Sequence, residues 1–306
     1  MLHRPPPPVS AVWTLFLLWL GSVVHATESS LACPDWPTCF GTMMPEMTGG
    51  VFWEHLHRLV AGGLVLMWGL GTWLTRSEGA RRWIFRASLA GLALLLIQSV
   101  FGGLTVIFRL PDLVSTTHFA LAFLFLSLAT WLASAAGWCR SARMDPAAAR
   151  RTRLWAGGAA LLVYTQSVLG ALVRHTDSGM ACPDAPLCLG QVVPPLDNHL
   201  ITLHFLHRAL GVTVALVVLA FAYQAGRRHL PVAVRSWASW AAVLVLIQVG
   251  LGFVSVLTGL AVVPVSLHTL VAASLLVILV HTAAMGTVAG AAPVAASRPA
   301  PATAAS

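Results

Sequence analysis

The sequence predicts an all-α, polytopic membrane protein: eight transmembrane helices forming two pseudo-symmetric four-helix bundles. Three observations lead there. Of 306 residues, 58% are hydrophobic and only 9% charged, with a mean hydropathy of +0.81, whereas soluble domains carry about 25% charged residues. The apolar residues form long unbroken runs instead of alternating with polar ones, which excludes an outer-membrane barrel, and so high an apolar content excludes a disordered chain. Helices remain, because they satisfy their own backbone groups inside lipid. The third observation is that the chain repeats itself at an offset of 149 to 150 residues.

Windows of about 20 apolar residues fall at 11–26, 53–75, 83–108, 113–138, 154–174, 202–224, 236–258 and 264–288. Charges between them alternate in number from side to side. The side holding both termini carries Arg4, Arg76, Arg81, Arg82, Arg86, Arg140, Arg143, Arg150, Arg151, Arg153, Arg227, Arg228, Arg235 and Arg298, with only Glu78 and Asp145. The other side holds Arg58, Arg109, Arg174 and Arg208 against eight acids. The positive-inside rule therefore places both termini in the cytoplasm. The net charge of +8 is that of short loops beside membrane lipid, and a nucleic-acid partner is not implied.

The two ends need separate readings. Residues 1–26 have the basic start, apolar run and Val-His-Ala ending of a cleaved signal peptide, but the repeat gives this helix an uncleavable counterpart. Residues 291–306 are mostly Ala, Pro, Ser and Thr, the composition of a disordered cytoplasmic tail.

The repeat is carried by four landmarks. Glu54-His55-Leu56-His57-Arg58 recurs as His204-Phe205-Leu206-His207-Arg208, and Thr117-His118 as Leu267-His268. Ile97-Gln98 with Gly102 recurs as Ile247-Gln248 with Gly252, and the loop Cys33-Pro34-Asp35…Cys39 as Cys182-Pro183-Asp184…Cys188. This divides the chain into an N-terminal half, 1–146, and a C-terminal half, 147–290. Four helices per half give both the same orientation, a parallel repeat about an axis along the membrane normal.

Four of the 12 histidines obey the repeat: His57, His118, His207 and His268. Each pair spans the second and fourth helices of its half, with both members about one turn inside the outer end. Ionisable residues within a membrane are costly and usually functional. Two facing imidazoles in an apolar bundle are what a six-coordinate haem iron requires. Interhelical hydrogen bonding, a zinc or copper site and proton relay are the competing readings. His55 and His204 flank the pairs, while His3, His25, His175, His199, His229 and His281 read as solvated residues of loops, tails or interfaces.

Arg58 and Arg208 each follow a candidate ligand, and the sequence leaves two readings open. A guanidinium suits a porphyrin propionate, and a helix-end arginine also snorkels to the surface. Gly62, Gly63, Gly102, Gly103, Gly250 and Gly252 allow close approach of a helix or a flat macrocycle. The cysteine pairs Cys33/Cys39 and Cys182/Cys188 each straddle a Pro-containing turn, consistent with two disulfides in an oxidising compartment. A four-thiolate metal site is the competitor. Cys139, on the cytoplasmic side, reads as a free thiol.

The halves differ at one chemically telling position. Glu54 becomes His204, so a carboxylate three residues from the first histidine, on the same helix face, occurs in one half only. It is either an interfacial residue pairing with Arg58 or a group poised for acid/base or charge stabilisation beside a reacting porphyrin.

Taken together, Glu54-x-x-His57-Arg58, Thr117-His118, Leu206-His207-Arg208, Leu267-His268 and the two Cys-Pro-Asp loops resemble the haem A synthase family over about residues 11–288. The resemblance implies an eight-helix oxidoreductase that converts the carbon-eight methyl of haem O to a formyl group by successive hydroxylations. It implies that His57 and His118 hold the substrate haem O, that Glu54 is catalytic, and that His207 and His268 ligate a haem b cofactor. It also implies disulfides Cys33–Cys39 and Cys182–Cys188, a bacterial inner (cell) membrane location, and transfer of haem O from the haem O synthase. One departure is that Arg174-His175-Thr176-Asp177-Ser178-Gly179 approximates a family loop motif, whereas its first-half counterpart, 25–30, lacks the arginine and glycine. A non-catalytic dihaem electron carrier and a haem-transfer assembly factor are the alternative functions.

Overall fold

A computed structural model describes residues 7–76, 82–138 and 144–291. It contains α1 (Pro7–Ala26), α2 (Gly49–Thr75), α3 (Arg82–Ile107), α4 (Asp112–Ala133), α5 (Pro146–His175), α6 (His199–Arg227), α7 (Val232–Leu257) and α8 (Val262–Ala291). A π-helical turn, Ser134–Trp138, extends α4, and a 3-10 turn, Ser178–Met180, follows α5. All eight helices are long and apolar enough to cross a membrane. At ~1.5 Å per residue, the 27 residues of α2 reach about 40 Å. That exceeds a hydrocarbon core of about 30 Å, so the helix ends stand in the headgroup layer. Cys139, Arg4, Arg81, Arg140, Arg143, Arg298 and residues 292–306 lie outside the described residues.

Helix starts fall earlier than the apolar windows because capping, not hydropathy, sets them. Asp145 accepts the Ala148 N–H at 2.8 Å and Pro146 occupies the first turn, so α5 begins eight residues before the window and includes Arg150, Arg151 and Arg153. Asn198 accepts the Leu200 N–H at 2.9 Å and starts α6 in the same way.

Within residues 7–138, α1 and α3 each pack on α2 and α4; within 144–291, α5 and α7 each pack on α6 and α8. The sets meet through α1 with α8 and α4 with α5 and α8, so α1, α4, α5 and α8 form the centre. A large core joins Phe123 and Leu126 of α4 to Val163, Val218, Phe221 and Leu279. A smaller one gathers Leu64, Trp68, Ile84, Leu95 and Phe125. Small residues permit the closest approach: a Cβ at Gly286 of α8 would stand 2.6 Å from the Ala149 carbonyl of α5. The two long loops, 27–48 and 176–198, carry the cysteine pairs and emerge at the same end.

Candidate functional site

The four repeat histidines stand at one depth below the cysteine-loop end. His57 and His207 are each the ninth residue of their helices, α2 and α6, and His118 and His268 each the seventh of α4 and α8. That is about 9–12 Å along the helix. His57 and His118 lie within electrostatic reach of each other, as do His207 and His268. The structure thus brings together each pair predicted from sequence.

Each imidazole has a glycine of a neighbouring helix against it. A Cβ would stand 3.0 Å from His57 Cε1 at Gly21 of α1, and 3.0 Å from His118 Cε1 at Gly102 of α3. At Gly170 of α5 it would stand 2.7 Å from His207 Cε1, and at Gly252 of α7 3.3 Å from His268 Cε1. All four are shorter than an ordinary carbon–carbon contact of about 3.5–4.0 Å, so a Cβ presses on each ring, hardest at Gly170 and least at Gly252. Gly21 and Gly170 escaped the sequence reading; their near-identical offset was the signal available. Gly62 and Gly250 face open space, and Gly63 lies against Trp13. Gly103 lies against Trp36 of the first cysteine loop, where an added Cβ would be 2.6 Å from the ring; the second loop has Ala185 in that place.

Glutamines orient the rings. His118 Nδ1 is 3.1 Å from the Gln98 carbonyl, and Gln98 Nε2 is 3.4 Å from His118 Nε2. With Nδ1–H donating to that carbonyl, Nε2 keeps its lone pair for a metal. Gln166 Nε2 contacts His207 Nδ1 at 3.0 Å and donates to the His207 carbonyl at 2.8 Å. Buried and unpartnered atoms remain at His57 Nδ1, His268 Nδ1 and the Oε1 atoms of Gln98, Gln166 and Gln248. Imidazoles in pairs, orphaned nitrogens among them, and glycine clearances beside each ring make a donor set that fits two haem groups.

Above this layer the cysteine loops are closed by disulfides Cys33–Cys39 and Cys182–Cys188, so the thiolates of a four-cysteine metal site do not exist. Asp35 accepts the Thr38 hydroxyl and the amides of Phe40 (2.6 Å) and Gly41 (2.9 Å); Asp184 accepts those of Leu189 and Gly190, both at 2.7 Å. The Thr38 hydroxyl and then the Gly41 amide hold the Asp35 carboxyl below its ordinary pKa, and the Gly190 and Leu189 amides do the same for Asp184.

Arginine fastens each loop to a helix. Arg58 Nη1 donates to the carbonyls of Asp35 (2.7 Å) and Thr38 (2.5 Å), and Nη2 to Glu54 Oε1 at 2.5 Å. Arg208 Nη1 donates to Asp184 (2.8 Å) and Leu187 (2.6 Å), and Nη2 to Cys182 (2.6 Å). These donors, left open between propionate pairing and snorkelling by the sequence, are occupied by loop carbonyls. Glu54 is buried and completes the clamp, its Oε2 accepting the Cys33 N–H at 2.8 Å. In the second half His204 substitutes, with Nε2 accepting Arg208 Nε at 3.1 Å and Nδ1 3.4 Å from the Cys182 amide. His55 is also buried, with Nε2 3.0 Å from the Met43 carbonyl.

Three histidines expected to be solvated are not. His25 and His175 pack edge to face, 5.3 Å between centroids, across α1 and α5. His281 is buried, with Nδ1 2.8 Å from Ser134 Oγ and its ring against Trp237. Each sits where helices meet, a placement that depth along the chain does not reveal.

Comparison with known proteins yields relatives of the same length class. Heme A synthase of Symbiobacterium thermophilum is 33% identical over 269 residues, covering 82% of this chain and 86% of that protein. Heme A synthase of Halalkalibacterium halodurans is 26% identical over 270 residues, covering 86% and 90%. That of Geobacillus kaustophilus is 30% identical over 258 residues, covering 80% and 79%. The COX15-CtaA model, described as cytochrome oxidase assembly protein, matches residues 8–280, a span that reaches from α1 into α8 and includes both cysteine loops and all four paired histidines. The chain belongs to the COX15-CtaA family of cytochrome oxidase assembly proteins.

Proposed function

We propose that this chain acts as a haem A synthase, oxidising the carbon-eight methyl of haem O to a formyl group by successive hydroxylations. One observation carries the reading: the same imidazole pair occurs twice, and a carboxylate stands beside only one of them. In this reading residues 1–146 are the substrate half, where His57 and His118 hold haem O, and residues 147–290 the cofactor half, where His207 and His268 hold haem b. A bound haem b supplies one-electron transfer.

The chain's own residues do the rest. Gly21, Gly102, Gly170 and Gly252 leave the imidazoles room, and the Gln98 carbonyl selects the tautomer of His118. Glu54 lies on the His57 face of α2, where a carboxylate stabilises positive charge developing on the methyl carbon, or accepts its proton, more strongly than water does. Arg58 and the Cys33 amide fix its position. Trp36 of the first cysteine loop, packed on Gly103 of α3 and replaced by Ala185 in the second half, closes the substrate half from the loop side. The excess of arginine on one side supports cytoplasmic termini in a bacterial inner membrane, where the haem O synthase is the expected donor of substrate.

In a dihaem electron carrier or a haem-transfer factor Glu54 would serve only as the loop fastener that His204 is in the second half. The deciding experiment is pigment analysis of membranes with and without this protein. Haem O accumulating in its absence is the expected result; unchanged haem O and haem A would refute the synthase reading.

A further inference from the structure

Between the two sets of helices, at the cysteine-loop end, lies a polar cluster that neither the loops nor the imidazole pairs use. Arg174, in the last turn of α5, donates from Nη1 to Ser22 Oγ and from Nη2 to the Ser22 carbonyl of α1, both at 3.5 Å. Ser22 Oγ is 3.1 Å from Thr269 Oγ1 of α8. His175 Nδ1 is 3.0 Å from Thr116 Oγ1 of α4, and His25 packs on the His175 ring.

Arg174 is loosely satisfied. Its bonds sit at the outer limit of hydrogen-bond length, whereas the Nη donors of Arg58 and Arg208 bond at 2.5–2.8 Å. Among the described residues no carboxylate lies within ion-pair distance of it; Glu28 acts on it from further away. A half-buried guanidinium without a close counter-charge is costly at this depth. Guanidinium, hydroxyls and imidazoles, with no carboxylate in contact, compose a site for an anion, and a guanidinium favours a carboxylate in particular.

Position says which carboxylate. Arg174 is one helical turn beyond Gly170 on the same face of α5, and Gly170 is the glycine against His207. Thr269, which bonds the Ser22 hydroxyl, directly follows His268 on α8. Arg174 therefore stands one turn toward the loop end from the glycine against His207, and Thr269 lies at the depth of His268, one residue further along α8. We infer that Arg174, with Ser22 and Thr269, binds a propionate carboxylate of the tetrapyrrole held by His207 and His268. This rests on the haem assignment proposed above, extends it to the ring's acidic edge, and moves the propionate partner from Arg208 to Arg174.

The test compares protohaem with its dimethyl ester, in which both propionates are uncharged. Full-length protein prepared haem-poor is titrated with each, following the low-spin spectrum that depends on His207. The parent protein is expected to prefer the free acid by roughly tenfold or more, as a charge-assisted hydrogen bond implies. Arg174→Gln should bind the two alike, and Arg174→Lys should retain much of the preference. Equal binding of acid and ester by the parent, or an undiminished preference in Arg174→Gln, overturns this inference. If no low-spin spectrum depends on His207 at all, the underlying haem assignment fails instead.

Discussion

Replacing Gly170 with alanine probes the second imidazole pair at its tightest contact. The new Cβ would lie 2.7 Å from His207 Cε1, about 0.8 Å short of a comfortable carbon–carbon distance. His207 has little freedom to yield, because Gln166 holds both its Nδ1 and its backbone carbonyl. Overpacking of this kind costs about 1–3 kcal/mol. The helix itself loses nothing, since alanine is favoured over glycine by about 1 kcal/mol in a helix interior. The strain therefore falls on the ring, and haem retention at this pair is expected to weaken roughly tenfold to a hundredfold, at ~1.4 kcal/mol per tenfold. Purified protein would be assayed for haem-to-protein ratio and low-spin spectrum. Gly252→Ala is the internal control: it presses the other ligand of the same pair at 3.3 Å, only about 0.2 Å short, and should stay near the parent. Full haem and an unchanged spectrum in Gly170→Ala would refute the reasoning, as would greater damage from Gly252→Ala.

The other expectations concern the loops and the carboxylate. Glu54→Ala should leave both haem groups bound while haem A formation falls on the order of 10²–10³, read as the haem O to haem A ratio in extracts. Glu54→His, which installs the second-half clamp residue, separates clamp from chemistry: recovery of haem A formation there would reduce Glu54 to a loop fastener. Cys33–Cys39 and Cys182–Cys188 are bonded as disulfides, with Cys33, Cys39 and Cys182 0% exposed, so a membrane-impermeant thiol reagent should label none of the four cysteines unless the protein is both denatured and reduced. Labelling of the native protein at any of them would contradict the closed loops. Asp35 and Asp184 have lowered pKa values, so their contribution to loop order is full above the ordinary carboxylate pKa and fades as pH falls through the depressed folded value. Protection of the Phe40, Gly41, Leu189 and Gly190 amides from hydrogen exchange should accordingly persist through mild acid, and its loss in step with an ordinary carboxylate titration would contradict the bonds described.

Much of the clamp was invisible in the sequence because its partners are backbone. Arg58 and Arg208 bind carbonyls of Asp35, Thr38, Asp184, Leu187 and Cys182, and every residue has a carbonyl, so no residue type announces the contact. Glu54 and His204 look like opposites in charge yet occupy the same joint between helix and loop. The arginine motif was legible; what it grips was not.

By itself the sequence determined the number of spans, the order of the loops, the two-fold repeat and the depth of each polar residue. Depth follows from counting along a helix, and the counts agree between the halves to one residue. Rotation about the helix axis was left to the tertiary structure. In water a helix advertises its buried face by an apolar stripe, but in lipid both the packed and the exposed faces are apolar. That is why Gly21 and Gly170 beside the imidazoles, the seam of His25, His175 and Arg174, and the burial of His281 emerged only once the helices were set against one another.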